Sequence, residues 1–156
     1  MTIVVGIDPD AAGGICRTDG TAYACERLRF NDAVLNREVL RSVCNGADAV
    51  YVEAIPLIKG NGHVGSATRR VRYGAMLERL HSLGVRVVEV PPVRWQAALG
   101  LTAGRGEGRP AHKARMAKAA RRFCPDVPDA LADAVLIAYY GLRMEVGDGA
   151  PCQADR

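Results

Sequence analysis

The N-terminal part of the chain contains three short apolar runs separated by turn residues, a pattern typical of β-strands. It predicts strands over 2–8, 13–18 and 21–27, with a Thr-Asp-Gly turn at 18–20 between the last two. Strands this close together in sequence usually pair antiparallel, so we expect a meander.

The first strand runs directly into Asp8 and Pro9. A continuous apolar run is typical of a strand that is covered on both faces, and proline cannot continue the hydrogen-bond ladder. Asp8 is therefore expected at the end of a core strand, where a carboxylate is unfavourable unless it is paired or binds a metal.

The same arrangement recurs after a predicted helix. Apolar residues at helical spacing predict a helix over 32–45, with Asn31 as its cap and Gly46 after its end. The next apolar run predicts a fourth strand over 48–54, and this strand ends in a second acid, Glu53.

The rest of the chain alternates polar loops with helices around one more strand. The predicted elements are a glycine-rich loop over 57–65, a helix over 66–83, a strand over 85–90, a short helical turn after Pro91-Pro92, a mobile loop over 102–110, a basic amphipathic helix after Pro110, a last helix over 127–143 and a disordered tail over 144–156. We expect one domain over 1–143.

This order predicts an α/β fold with a mixed five-stranded sheet, three antiparallel strands plus two parallel ones, flanked by helices on both faces. The first and fourth strands can be neighbours in such a sheet. Asp8 and Glu53 would then meet at its carboxyl edge, where open α/β sheets place their sites.

Two more acids, Asp129 and Asp133, are spaced i and i+4 in the last predicted helix. Like charges at this spacing destabilise a helix unless a cation lies between them. Four carboxylates without a cysteine or histidine motif indicate a hard oxygen site suited to Mg²⁺ or Mn²⁺, as in two-metal nucleases. The alternatives are a turn residue for Asp8, an ordinary salt bridge for Glu53 and a helix cap for Asp129.

Charge is distributed unevenly along the chain. Residues 59–122 hold fourteen Lys and Arg against three acids, whereas the remainder holds seven against fourteen. A basic stretch with few interspersed acids favours a polyanion partner such as nucleic acid.

The five cysteines are scattered, without a C-x-x-C pair, and indicate reduced thiols rather than a zinc site or a disulfide framework. No apolar stretch is long enough to span a membrane, and no secretory signal is recognisable. The expectation is a cytoplasmic, nucleoid-associated protein without membrane contact.

Six motifs in order along residues 3–143 resemble the RuvC-like Holliday junction resolvases, especially their bacterial, phage and chloroplast branch. The motifs are GIDPDAAGG, YVEAIP, VRYGAMLERL, VVEVPPVRWQAALGL, HKARMAKAARRFCPD and DALADAVLIAYYG. The resemblance implies a ribonuclease H-like fold, a homodimer, Mg²⁺ or Mn²⁺, and paired symmetric nicking of four-way DNA junctions.

Carried over by position, the resemblance implies Asp8, Glu53 and Asp133 as metal ligands, with Asp129 or Asp126 as the fourth. Asp10 is a further candidate. Lys113 matches a basic residue near the scissile phosphate, with Arg109 and His112 as alternatives for that place, or it is an ordinary solvated lysine.

The loop over 57–65 and the helix after it match the junction-contacting and subunit-pairing region, which includes Tyr73 and Gly74, although Tyr73 is equally consistent with a core position. Trp95 is interpreted as a core anchor rather than a base-stacking platform. The candidate DNA-binding residues are Lys59, His63, Arg69, Arg70, Arg72, Arg105, Arg109, Lys113, Arg115 and Lys118.

Two other functions remain open at this stage. One is an RNA-processing nuclease of the same fold, and the other is a protein that binds branched DNA without cutting it. Carboxylates beside phosphate give a pure binder no advantage, which argues against the second.

Overall fold

The computed structural model describes residues 1–10, 13–28, 33–55 and 63–147. The strands are β1 (Val4–Asp8), β2 (Gly14–Thr18), β3 (Tyr23–Arg27), β4 (Ala49–Glu53) and β5 (Val87–Val90). The helices are α1 (Ala33–Cys44), α2 (His63–Ser82), α3 (Pro92–Ala98), α4 (Arg109–Ala120) and α5 (Ala132–Val146), and a 3-10 turn (Asp129–Leu131) precedes α5.

The five strands form one sheet in the order β3-β2-β1-β4-β5. β1 pairs antiparallel with β2, and β2 with β3, whereas β1 and β4 pair in parallel, as do β4 and β5. The predicted mixed sheet is confirmed, and so is the prediction that the first and fourth strands are neighbours.

Each face of the sheet packs against its own helices. On one face, Val4 of β1 and Tyr51 of β4 join a core with residues from α3, α4 and α5. On the other, Ile7 and Val52 join a core with residues from α1 and α2. Alternate strand residues point to opposite faces, and both faces are covered, so β1 and β4 are apolar up to their last residues, Asp8 and Glu53.

The backbone of α5 lies directly against β1 at Gly6. A Cβ atom at Gly6 would lie 2.2 Å from the backbone nitrogen of Ala138, so only glycine permits this approach. Since α5 also carries Asp133 in its first turn, this contact fixes where that carboxylate lies relative to β1.

Two predicted loops differ from the structure. α2 begins at His63, so the predicted loop over 57–65 ends earlier, and its residues 57–62 lie outside the described ranges. The loop over 102–110, predicted to be too polar to pack, is held by hydrogen bonds of Glu107 and Arg115. Glu107 accepts bonds from the backbone nitrogen of Gly104 at 2.8 Å and from Arg115 of α4, and Arg115 also donates to the carbonyl oxygen of Thr102 at 3.0 Å.

The prediction of reduced thiols was wrong for one pair. Cys16 of β2 and Cys25 of β3 are opposite each other in the antiparallel register, with their Cα atoms 4.1 Å apart, and they form a disulfide. Cross-strand partners come close whatever their spacing in sequence, which is why a search for short cysteine motifs missed them. Cys44 and Cys124 are free, and Cys152 lies outside the described residues.

At the C-terminal end, α5 continues through Val146, past the predicted boundary at residue 143. The rest of the predicted tail, 148–156, lies outside the described residues, so the prediction of a single domain over 1–143 stays a prediction. Among the helices described, none combines the length and the apolarity needed to cross a membrane.

Candidate active site

Three acids converge at the carboxyl edge of the two central strands. Asp8 is the last residue of β1 and Glu53 is the last residue of β4, and β1 and β4 are paired in parallel. Successive residues of a strand point to opposite faces of the sheet, so Asp8 is on the same face as Val4, and Glu53 is on the same face as Tyr51. This is the face that packs against α5. Asp133 lies in the first turn of α5 and is buried, as is Asp8. Two strands and a helix therefore bring these acids to one place.

The electrostatics show that the three carboxylates act on one another. The pKa of Asp8 is raised from 3.8 to about 6, mainly by burial and, as the second cause, by repulsion from Asp133. Burial, followed by repulsion from Asp8, raises the pKa of Glu53 from 4.5 to about 7, and Asp133 contributes in the same direction. Negative charge is thus concentrated where it is poorly solvated, which favours a cation between these groups.

Lys113 supplies a positive charge to this cluster from α4. Its ammonium group donates a hydrogen bond to Oδ2 of Asp133. Partial burial alone would lower the pKa of Lys113, but the bond to Asp133 and the nearby carboxylates of Asp8 and Glu53 raise it overall. The Lys113 side chain is 53% exposed, so its ammonium group is also accessible from outside.

Two further hydrogen bonds hold the strand-end acids. The backbone nitrogen of Asp10 donates to Oδ1 of Asp8 at 3.1 Å. The indole Nε1 of Trp95 donates to Oε2 of Glu53 at 2.9 Å, and Trp95 itself is fully buried. The prediction of Trp95 as a core anchor did not include this contact. This contact could have been predicted from the short connection between β5 and α3. Because β5 is the parallel neighbour of β4, that connection places the start of α3 near the end of β4.

The donor set fits a hard divalent cation in its chemistry, because all its ligand atoms are carboxylate oxygens. Within the described part of the chain, no group of three or more His, Cys, Asp or Glu side chains has an arrangement that could hold a metal ion. Lys113 donates to Oδ2 of Asp133, and Trp95 donates to Oε2 of Glu53.

The structure does not bring Asp129 into this cluster in the predicted way. Asp129 lies in the 3-10 turn before α5, so it does not share one helix face with Asp133. Its carboxylate pairs with Arg121, and its side chain is 74% exposed. Asp126 is also exposed, and Asp10 pairs with Arg69. A fourth carboxylate ligand stays a prediction.

Three of the predicted DNA-binding cations have carboxylate partners, and one of them is Lys113, which pairs with Asp133. Nη2 of Arg69 lies 2.5 Å from Oδ1 of Asp10, and Nη2 of Arg115 lies 2.8 Å from Oε2 of Glu107. The candidates that are exposed are Arg70, Arg72, Arg105, Arg109, Lys113 and Lys118. Lys59 and the side chain of His63 lie outside the described residues.

The alternatives for the place of Lys113 are accounted for by other contacts or positions. Nδ1 of His112 lies 3.5 Å from Oε2 of Glu107, in the network that holds the 102–110 loop. Arg109 is the first residue of α4 and is exposed.

Tyr73 of α2 is half-buried and donates from its hydroxyl group to Oε2 of Glu89 at 2.7 Å, which ties α2 to β5. Gly74 has open space beside it.

No protein-family model and no curated protein sequence matches the chain. Among solved structures, Thermus thermophilus RuvC in complex with a Holliday junction substrate is similar, with a TM-score of 0.65 and 21% identity over 94% of this chain and 97% of that one. Another T. thermophilus RuvC structure is similar with a TM-score of 0.59 and the same identity and coverage. The yeast mitochondrial Holliday junction resolvase Ydc2 gives a TM-score of 0.52 and 12% identity over 97% of this chain and 80% of that one.

These similarities run over nearly the whole chain and confirm the fold that the motifs implied. Placement in the bacterial, phage and chloroplast branch stays a prediction. The chain has the ribonuclease H-like fold of the RuvC-like Holliday junction resolvases.

Proposed function

We propose that this protein is a metal-dependent endonuclease that cuts four-way DNA junctions by paired symmetric nicks, in recombination and repair. A fold by itself does not define an activity. The observation that carries the proposal is the cluster of Asp8, Glu53 and Asp133 with Lys113, at the carboxyl edge of the central strands. This cluster has the chemistry of a phosphodiesterase site on a fold shared with junction resolvases.

In this proposal, Asp8, Glu53 and Asp133 hold the divalent cations. When bound, two Mg²⁺ or Mn²⁺ ions would activate a water molecule and neutralise charge on the phosphodiester. The chain itself contributes rigidity, because two of the acids end core strands and the third begins a packed helix. Pro9 follows Asp8 directly and ends β1 there, because proline cannot donate to the strand ladder.

Lys113 has a different role in the proposal. Its ammonium group lies at the cluster and is half-exposed, so it is able to exchange Asp133 for a nonbridging phosphate oxygen. A fixed positive charge at that oxygen stabilises the negative charge that develops as water attacks in line. The exposed cations of α2, α4 and the 102–110 loop would contact the flanking DNA backbone.

We further propose that two copies act together. Two identical sites related by a two-fold axis suit a substrate with the same symmetry, and they account for paired nicks. α2 offers a surface for this pairing. Val71 is an apolar side chain that is 72% exposed there, and Gly74 leaves room for the close approach of a second helix.

Cleavage of labelled synthetic nucleic acids tests the proposal. A four-way junction, a linear duplex of the same sequence and a structured RNA are compared in Mg²⁺, in Mn²⁺ and in EDTA, with Asp8→Asn as the control variant. We expect metal-dependent nicks confined to the junction and absent in the variant. Junction binding without cleavage would indicate a non-cutting binding protein, and preferential cleavage of the RNA would indicate an RNA-processing nuclease; either result would overturn the proposal.

A further inference from the structure

We infer that Trp95 is a positioning residue for Glu53. The indole N–H of Trp95 orients the Glu53 carboxylate for cation binding. The inference rests on the proposed function. It adds to the proposed metal site a side chain from α3, a helix that carries none of the three clustered acids. It starts from the hydrogen bond of 2.9 Å between Nε1 of Trp95 and Oε2 of Glu53.

The Trp95 ring is held firmly by its surroundings. Its side chain is fully buried and belongs to the core beneath α4 and α5, together with Val90, Leu101 and Met116. The backbone around it is equally constrained, because α3 begins at Pro92 and Leu99 donates back to the carbonyl oxygen of Trp95 at 3.1 Å. The direction of the N–H bond is therefore set by the core.

Glu53 needs such a partner more than Asp8 does. A glutamate has one more side-chain torsion than an aspartate, and Glu53 lies at a strand end with partial solvent exposure. One fixed bond to Oε2 restricts these torsions and leaves Oε1 available as a ligand atom. Indole nitrogen is a donor only, so Trp95 orients the carboxylate without competing for the cation.

The alternative is that Glu53 only satisfies the polar atom of a core tryptophan. The two roles differ in a measurable way. Groups that hydrogen-bond to metal ligands typically change metal affinity or activity by about 10- to 100-fold when they are removed. A purely structural tryptophan would affect stability and leave cation affinity unchanged.

Trp95 is the only tryptophan in the chain, so biosynthetic incorporation of an analogue alters this residue alone. β-(3-Benzothienyl)alanine has nearly the same shape, but sulfur replaces the indole N–H. 5-Fluorotryptophan keeps the N–H and is the matched control. Mn²⁺ affinity is measured from the electron paramagnetic resonance signal of free Mn²⁺, and junction cleavage is measured under single-turnover conditions.

With the sulfur analogue, we expect the Kd for Mn²⁺ to rise about 10-fold or more and the single-turnover cleavage rate to fall, while the apparent Kd for the junction and Tm stay close to those of the fluoro control. Equal Mn²⁺ affinity in the two proteins would overturn the inference and leave the proposed function intact. Unmodified protein that neither binds Mn²⁺ nor cuts would overturn both.

A double-mutant cycle provides a second test that does not depend on how well the analogue folds. Trp95→Phe is measured alone and in a Glu53→Gln background, again by Mn²⁺ affinity. If Trp95 acts through Glu53, its substitution weakens Mn²⁺ binding in the natural background and has little further effect in the variant. Equal losses in both backgrounds would contradict a positioning role.

Discussion

Replacing Asp8 by asparagine should stabilise the protein at neutral and alkaline pH in the absence of divalent cations. Burial and the neighbouring acids raise the pKa of Asp8, so its charged form is disfavoured in the folded state. Asparagine carries no charge, yet its side-chain oxygen is able to accept the same hydrogen bond from the backbone of Asp10. The substitution thus removes repulsion and keeps the local geometry.

The size of the effect follows from the shift in pKa. Asp8 is only 7% exposed, and its pKa rises from 3.8 in the unfolded chain to about 6 in the fold. A shift of one pKa unit corresponds to about 1.4 kcal/mol, so the charged aspartate costs the fold about 2 to 3 kcal/mol above pH 6. For a chain of 156 residues, this corresponds to a rise in Tm of roughly 4–12 °C in the variant.

The sign of the pH dependence is also determined. Between about pH 4 and pH 6 the folded state binds more protons at Asp8 than the unfolded state does. The unfolding free energy of the natural protein therefore falls as pH rises through this window, and that of Asp8→Asn falls less. The advantage of the variant should be full near pH 8 and absent below about pH 4.

Urea unfolding at several pH values in EDTA measures this difference. Added Mn²⁺ should offset the advantage of the variant at about 100 times its Kd and reverse the order at about 1000 times its Kd, because a ligand that binds only the folded natural site stabilises it by about 2.7 and about 4.1 kcal/mol at these concentrations. An Asp8→Asn variant that is less stable at pH 8, or whose advantage does not change with pH, would refute the assignment of Asp8 to a crowded carboxylate cluster.

Three further predictions concern other parts of the site and its support. Gly6→Ala should destabilise the protein by about 1–3 kcal/mol or more in urea unfolding, because the new Cβ would overlap the backbone of α5; Gly74→Ala, with open space around it, should stabilise by up to about 1 kcal/mol. Lys113→Ala should lower the single-turnover cleavage rate by about 100- to 1000-fold, with partial activity in Lys113→Arg, and unchanged rates would remove Lys113 from the site. Asp129→Asn should retain far more cleavage activity than Asp133→Asn, and equal losses would restore Asp129 as the fourth ligand.

The sheet could be predicted from the sequence because each strand is a short apolar run that is recognisable from neighbouring residues alone. Continuous apolar runs in the first and fourth strands predicted burial on both faces, and their terminal acids, Asp8 and Glu53, predicted a site at one edge. Both strands have the predicted place in the sheet. Asp133 was predicted from its spacing and its motif, and it lies in the first turn of a buried helix.

Other features depend on contacts that no local pattern contains. The start of α5 at Ala132 separates Asp129 from Asp133, because a 3-10 turn with the same sequence spacing has a different geometry. The Trp95–Glu53 bond joins residues far apart in sequence. Glu107 turns a glycine-rich segment into an ordered loop by binding Arg115, a partner that is visible only once α4 is placed.

The most direct test of the account compares the three clustered acids in one assay. Asp8→Asn, Glu53→Gln and Asp133→Asn are measured for single-turnover cleavage of a labelled four-way junction in Mn²⁺. Glu26→Gln, at an exposed position on the edge strand β3, is the matched control. The account predicts that each cluster variant still binds the junction but cuts it at least about 100-fold more slowly, while the control cuts normally. Near-normal cleavage by any one of the three variants would contradict the claim that these carboxylates form a single catalytic site.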